Sequence, residues 1–263
     1  MKIGIFDSGL GGLAVLEGIR KALPKYDYVY LGDTKHVPYG SQNQATIYQW
    51  SKTVVDYLFR TENCQIVVIA CNTVSVKALR KLQRGYLLKH FPDRRILGVV
   101  VPTMETVVGN RARRVGLIGT TATVRSLVYA TELKKLSKHT TLYARATPTL
   151  VPLLEEGKMN EASLALKQYL QFFTGKNIDT LILGCTHYCL LKQTARTLLG
   201  KTVKVISQDE LIPQKLKLYL RKHRETTSLL SKSGSIKLLW TKSNASYKNQ
   251  DFKTVRLPIL PST

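Results

Sequence analysis

The feature that most constrains the fold is an internal echo: residues 66–73 read IVVIACNT and residues 181–188 read LILGCTHY. Each is a short apolar run that ends in a cysteine followed by small polar residues. The two cysteines, Cys71 and Cys185, lie 114 positions apart in a chain of 263 residues. A second echo runs at nearly the same offset, KIGIFDSG at 2–9 against RVGLIGTT at 114–121, with Gly4 and Gly116 separated by 112 positions. Two matches at nearly one offset read as a duplicated unit. Each copy opens on a glycine-containing strand and later ends another strand in a cysteine.

Strands are expected at 2–7, 28–33, 65–71, 95–101, 114–120, 141–147, 179–185 and 203–208. Stretches with apolar residues at helical spacing fall at 13–23, 45–59, 76–90 and 161–173. Such alternation predicts an α/β fold of two similar lobes with mainly parallel sheets. The expected division is 1–95 together with 208–263 as the first lobe, its C-terminal segment packing back, and 96–207 as the second. In parallel α/β sheets ligands bind beyond the carboxyl ends of the strands. Two facing lobes would therefore present both cysteines to one cleft.

Composition narrows the setting. A chain with 44% hydrophobic and 22% charged residues has the makings of a soluble core. No run of ~18 apolar residues predicts a membrane span. The apolar stretch at the start is too short for a secretory signal, so a cytoplasmic location is expected. The cysteines at 64, 71, 185 and 189 are too irregular for a disulfide framework; Cys64 reads as structural. The net charge of +23 attracts polyanions without conferring sequence choice. Neither zinc-finger spacing nor an RNA-recognition pattern accompanies it. The densest basic stretch, PQKLKLYLRKHR at 213–224, alternates with apolar positions and reads as a solvated helix face. Weak, non-specific polyanion binding is the most this charge implies.

A thiol at a strand end, just before a helix, is well placed to ionise, because the helix N-terminus offers partial positive charge and free N–H groups. Asn72 and Thr73, and Thr186 and His187, are types that cap helices and donate to anions. In DSGLGGL (7–13), Asp7 and Ser8 are expected to cap the next helix, and Gly9, Gly11 and Gly12 to let backbone approach a ligand. By itself that stretch reads equally well as a tight turn, and it matches neither GxGxxG nor a P-loop. In PYGS (38–41), Tyr39 and Gly40 could meet a carboxylate; in GTTATV (119–124), Thr120 and Thr123 offer hydroxyls. Cys185, His187 and Cys189 lack a fourth ligand and the spacing of structural zinc, so no metal is expected. A lone buried cysteine would be filler. Two in matched settings suit two-base inversion of a stereocentre, where one thiolate takes a proton and the other thiol returns one on the opposite face. A thiol protease would need only one.

With DSGLGGL, VPYG, ACNT, GTTATV, VPLLEEG and LILGCTHY in this order, the chain resembles the bacterial glutamate racemases of the aspartate/glutamate racemase family over nearly its whole length. The resemblance implies cofactor-independent interconversion of L- and D-glutamate, the latter for peptidoglycan, in a cleft between two α/β lobes. It implies that Cys71 and Cys185 are the acid/base thiols and that Asp7 and His187 assist them. Glu155 matches a third assisting carboxylate, with Glu156 as the alternative. Asp7, Ser8, Tyr39, Gly40, Asn72, Thr73, Thr186 and His187 match substrate-binding positions, and Thr120 and Thr123 are added from GTTATV. A homodimer is expected. VVVPT, SQDE and Cys189 depart from the usual pattern without removing a catalytic residue. An aspartate racemase, or a basic regulatory protein on the same scaffold, are the competing readings.

Overall fold

The computed structural model describes residues 1–242 and 252–257. Residues 243–251 and 258–263 of the expected first-lobe segment 208–263 lie outside the described residues. The strands are β1 (Lys2–Asp7), β2 (Tyr28–Gly32), β3 (Cys64–Ile69), β4 (Arg95–Leu97), β5 (Arg114–Gly119), β6 (Thr141–Ala146), β7 (Thr180–Gly184), β8 (Lys204–Ile206), β9 (Ile236–Trp240) and β10 (Phe252–Thr254). They form two sheets, in the orders β10-β9-β2-β1-β3-β4 and β6-β5-β7-β8. Every pairing is parallel. The order β2-β1-β3-β4 in the first sheet recurs as β6-β5-β7-β8 in the second, which is the duplication read from the sequence. The cysteine-bearing runs are β3 and β7, each next to the strand that opens its lobe.

Both faces of the first sheet are covered, so its strands are continuous apolar runs rather than alternating ones. Along β3, Ile66 and Val68 face a core shared with Val15, Ile19, Leu216 and Leu220, while Val67 and Ile69 face one built on Val54, Val55 and Leu58. The helices Leu13–Ala22 and Gln208–Lys222 thus cover one face and Gln44–Arg60 covers the other. Cys64 is fully buried in the second of these cores. In the other lobe Leu117 and Ile182 face one core, and Ile118, Leu181 and Leu183 its opposite.

Three local expectations need correction. The strand expected at 95–101 stops at Leu97, and Val100–Gly109 is a helix. Pro102 sits in its first turn, where a missing N–H costs nothing. The helix expected at 76–90 begins at Asn72 instead, breaks at Ala78, and passes through a π-helical stretch at Leu82–Leu87. Asp7 and Ser8 do not cap the following helix, which starts beyond the glycines with Gly12 in the N-cap position. Asp7 instead accepts the Gly9 N–H at 3.1 Å and so shapes the loop itself. No helix among the described residues is long and apolar enough to cross a membrane.

The lobes meet closely along the strand ends. An added Cβ on Gly11 would lie 2.7 Å from the His187 nitrogen, and one on Gly40 would lie 2.9 Å from Thr120 Cβ. Glycine at these positions lets loops of the first lobe lie directly on the second.

Candidate active site

Beyond the carboxyl ends of β1, β3, β5 and β7, the two lobes enclose a cavity of about 570 Å³ lined by both Cys71 and Cys185. Cys71 is the N-cap residue of the helix Asn72–Lys77, and Cys185 that of the 3-10 turn Thr186–Leu191. The cleft reading from the sequence therefore has its geometric counterpart. Ser8, Tyr39, Gly40, Asn72, Thr73, Thr120, Thr186 and His187 line the same cavity. Thr123 does not; its backbone N–H and hydroxyl are bonded to Thr120 Oγ1 at 3.1 and 3.0 Å, which fixes that hydroxyl. Thr73 and Thr120 join the lobes through their hydroxyls at 3.0 Å.

The two thiols have different company. Cys71 Sγ lies 3.2 Å from Ser8 Oγ. Burial, and then the carboxylate of Asp7 nearby, push the Cys71 thiol up to about 12, although Ser8 and the Val74 N–H pull the other way. This reverses the expectation of an ionised thiol at a helix start. A helix of one and a half turns contributes less than full burial removes. Cys185 Sγ lies 3.8 Å from His187 Nδ1. The other ring nitrogen of His187 is bonded to Glu155, whereas Glu156 pairs with Lys158 at 2.7 Å. Burial alone would lower His187, but hydrogen bonds to Cys185 and Glu155 and the charge of Asp7 outweigh it and hold it well above the usual histidine range.

Asp7 is completely buried behind the cavity wall rather than on it. It accepts from Thr186 Oγ1 at 3.2 Å, bridging the lobes. Burial raises its carboxyl above the usual range despite His187 and the N–H groups of Gly9 and Gly12. Tyr39, expected to face a ligand carboxylate, lines the cavity with its ring while its hydroxyl donates to Asp33 at 2.5 Å. Asn72 accepts from the Tyr129 hydroxyl, and its Nδ2 is buried with no hydrogen-bond partner among the described residues. A buried donor left unpaired on a cavity wall is a position made for a ligand acceptor.

Sequence reasoning missed Asp33, Tyr129, Lys77, Arg125 and the apolar rim of Pro148, Val151 and Pro152. Lys77 and Arg125 were discoverable, since each follows a singled-out motif within two helical turns. Asp33 and Tyr129 act through tertiary contacts that no local pattern encodes.

Residues 3–208 match the family model described as Asp/Glu/Hydantoin racemase. A glutamate racemase of Aquifex aeolicus is 41% identical over 245 residues, 92% of this chain and 89% of that protein. The solved glutamate racemase of Bacillus anthracis superposes with a TM-score of 0.87 at 29% identity, covering 98% of both chains. That of Francisella tularensis, solved with D-glutamate, superposes with a TM-score of 0.85 at 28% identity over 97% of both.

Proposed function

The chain belongs to the Asp/Glu/hydantoin racemase family, and on that premise we propose that it interconverts L- and D-glutamate by a two-thiol mechanism. The observation that carries this reading is that Cys71 and Cys185, from opposite lobes, line one cavity. Inversion at the α-carbon needs a base on one face and an acid on the other. Cys71, pushed up to about 12, is a thiol and so a proton donor at rest. Cys185 Sγ lies 3.8 Å from Nδ1 of His187, a ring nitrogen that can exchange a proton with it. In this scheme Cys185 removes the α-proton of L-glutamate and Cys71 supplies one from the other side. Running the reaction from D-glutamate requires the opposite proton distribution. Asp7, whose buried carboxyl bears on Cys71, and His187, beside Cys185, are the groups assigned to redistribute the protons, with Ser8 holding the Cys71 sulfur.

Asn72 Nδ2 is an open donor for a substrate carboxylate, whereas the cavity-lining hydroxyls of Thr73, Thr120 and Thr186 donate to Thr120, Thr123 and Asp7 and must turn to serve a ligand. Glu155 holds the imidazole of His187 in place, and Asp7 ties Thr186 to the β1 loop. No cofactor enters this scheme. The glutamate racemases among its relatives support glutamate over aspartate, and D-glutamate supply for peptidoglycan in the cytoplasm follows from that substrate. The test is circular dichroism of L- and D-glutamate incubated with reduced protein and no pyridoxal phosphate, aspartate serving as the control. Racemisation of both enantiomers, abolished by thiol alkylation and protected by glutamate, is expected. Inertness toward glutamate, or faster turnover of aspartate, would overturn the reading.

A further inference from the structure

The cavity carries two fixed positive charges at its wall that the mechanism does not use. Lys77 is the last residue of the helix that Cys71 opens, and Arg125 the last of the helix Thr121–Arg125 that Thr120 opens. They come from opposite lobes and both line the cavity, and among the described residues no aspartate or glutamate lines it with them. Among the described residues neither makes an ion pair. Neighbouring cations do otherwise: Arg80 reaches across the lobes to Glu132 at 2.7 Å, and Lys135 joins the same carboxylate at 2.8 Å. A cation in a last helical turn suits the helix dipole. That accounts for each charge alone but not for two, one from each lobe, lining a cavity with no aspartate or glutamate among its described lining residues. The carboxylates nearest the chemistry are withdrawn, Asp7 being buried behind the wall and Glu155 bonded to His187. Apart from Lys77, Arg125 and His187, the polar side chains lining the cavity are uncharged or thiols.

We propose that Lys77 and Arg125 form a cationic lip that selects ligands of net negative charge. It draws in an amino acid with a side-chain carboxylate ahead of a neutral one of equal length, such as glutamine. Like charges lining a low-dielectric cleft raise the local concentration of oppositely charged substrate and its rate of entry. This rests on the glutamate reading for its substrate, but the lip can be measured without it. The probe is a pair of alkylating agents, anionic iodoacetate and neutral iodoacetamide, with modification of Cys71 and Cys185 followed by mass spectrometry. The ratio of the two rates reports the potential in the cavity and cancels differences in thiol reactivity.

Lys77→Met and Arg125→Met should each lower the iodoacetate-to-iodoacetamide ratio about threefold at low ionic strength, and the double variant about tenfold. The difference should vanish near 1 M salt, where screening acts within ~3 Å. With glutamate, KM should rise by the same factors while kcat stays within about twofold, and Lys77→Arg or Arg125→Lys should restore the original values. An unchanged ratio in the double variant, or a fall in kcat with KM unaltered, would overturn the lip. A ratio that moves as expected in a protein inert toward glutamate would instead sink the substrate reading and leave the lip standing.

Discussion

Replacing Gly11 by alanine tests whether the closeness of the two lobes is what assembles the site. The added methyl would sit 2.7 Å from the His187 nitrogen and from Thr186 Oγ1, and 2.8 Å from His187 Nδ1. Ordinary contact begins near 3.4 Å, so the shortfall is about 0.7 Å, and one of the three atoms is backbone that cannot rotate away. The backbone of Gly11 is not in the left-handed region, so the cost is purely steric. Overpacking of this sort costs about 1–3 kcal/mol. Relief comes only by moving the first-lobe loop away from Thr186 and His187. A misplacement near 1 Å costs up to ~10²-fold in rate. Gly11→Ala should therefore lower kcat/KM for glutamate about 10- to 100-fold and Tm by a few degrees. Gly85→Ala is the control, because nothing lies within 4 Å of its added methyl; it should leave turnover unchanged and Tm equal or slightly higher. Steady-state racemisation by circular dichroism and thermal unfolding measure both. Turnover of Gly11→Ala within twofold of the parent, with the Tm of Gly85→Ala, would refute the reasoning.

Three further outcomes are expected. Cys71→Ala and Cys185→Ala should each lose at least ~10²-fold in racemisation. Deuterium uptake from solvent, followed by NMR, should survive with L-glutamate in the first and D-glutamate in the second, and equal uptake from both enantiomers in either variant would rule out one thiol per face. Glu155→Gln removes a carboxylate that favours the imidazolium of His187, so the alkaline limb of the pH–rate profile should move to lower pH, while Glu156→Gln, whose parent carboxylate pairs with Lys158, should leave it in place. Burial would raise Asp27, but hydrogen bonds from Ser231, Ser233 and Ser235 outweigh it and hold its carboxyl well below the usual range. The stability from Asp27 should accordingly be complete above about pH 4 and fall away at lower pH. Asp27→Asn should cost about 2 kcal/mol near neutrality and flatten the acid limb of a Tm-against-pH curve, and an unflattened limb would show that these contacts do not tune Asp27.

The parallel sheets, the duplicated strand order and the cysteine positions were legible because each is written in local pattern: apolar runs of strand length, a glycine at a strand start, polar residues after a thiol. The helix at Val100–Gly109 was not, since VVV has the β-branched character of a strand and only packing of Val100, Met104 and Val107 against β5 makes it helical. The cavity-lining set was legible through its motifs, whereas what each member does was not. Tyr39 spends its hydroxyl on Asp33, and Asn72 leaves Nδ2 open because Tyr129, 57 positions away, occupies its oxygen. The state of Cys71 was misread because a helix start is visible in sequence and the depth of burial is not.

Duplication placed two like thiols opposite each other, yet a symmetric site would be a poor racemase. Two thiolates would repel and lack a donor, and two thiols would lack a base. The divergence of the lobes breaks that tie at specific echo positions. Ser8 in the first copy corresponds to Thr120 in the second, and Thr73 corresponds to His187. Thr73 and Thr120 bond to each other at 3.0 Å and carry no charge, while Ser8 and His187 each serve one sulfur. Only one lobe gained an imidazole, with Glu155 behind it, and only the other kept the carboxyl of Asp7, whose proximity helps push Cys71 up. The chain thus uses its repeat for geometry and its departures from the repeat for proton placement. That division explains why the two cysteines proposed as acid and base stand out in a self-comparison of the sequence while the groups proposed to polarise them do not.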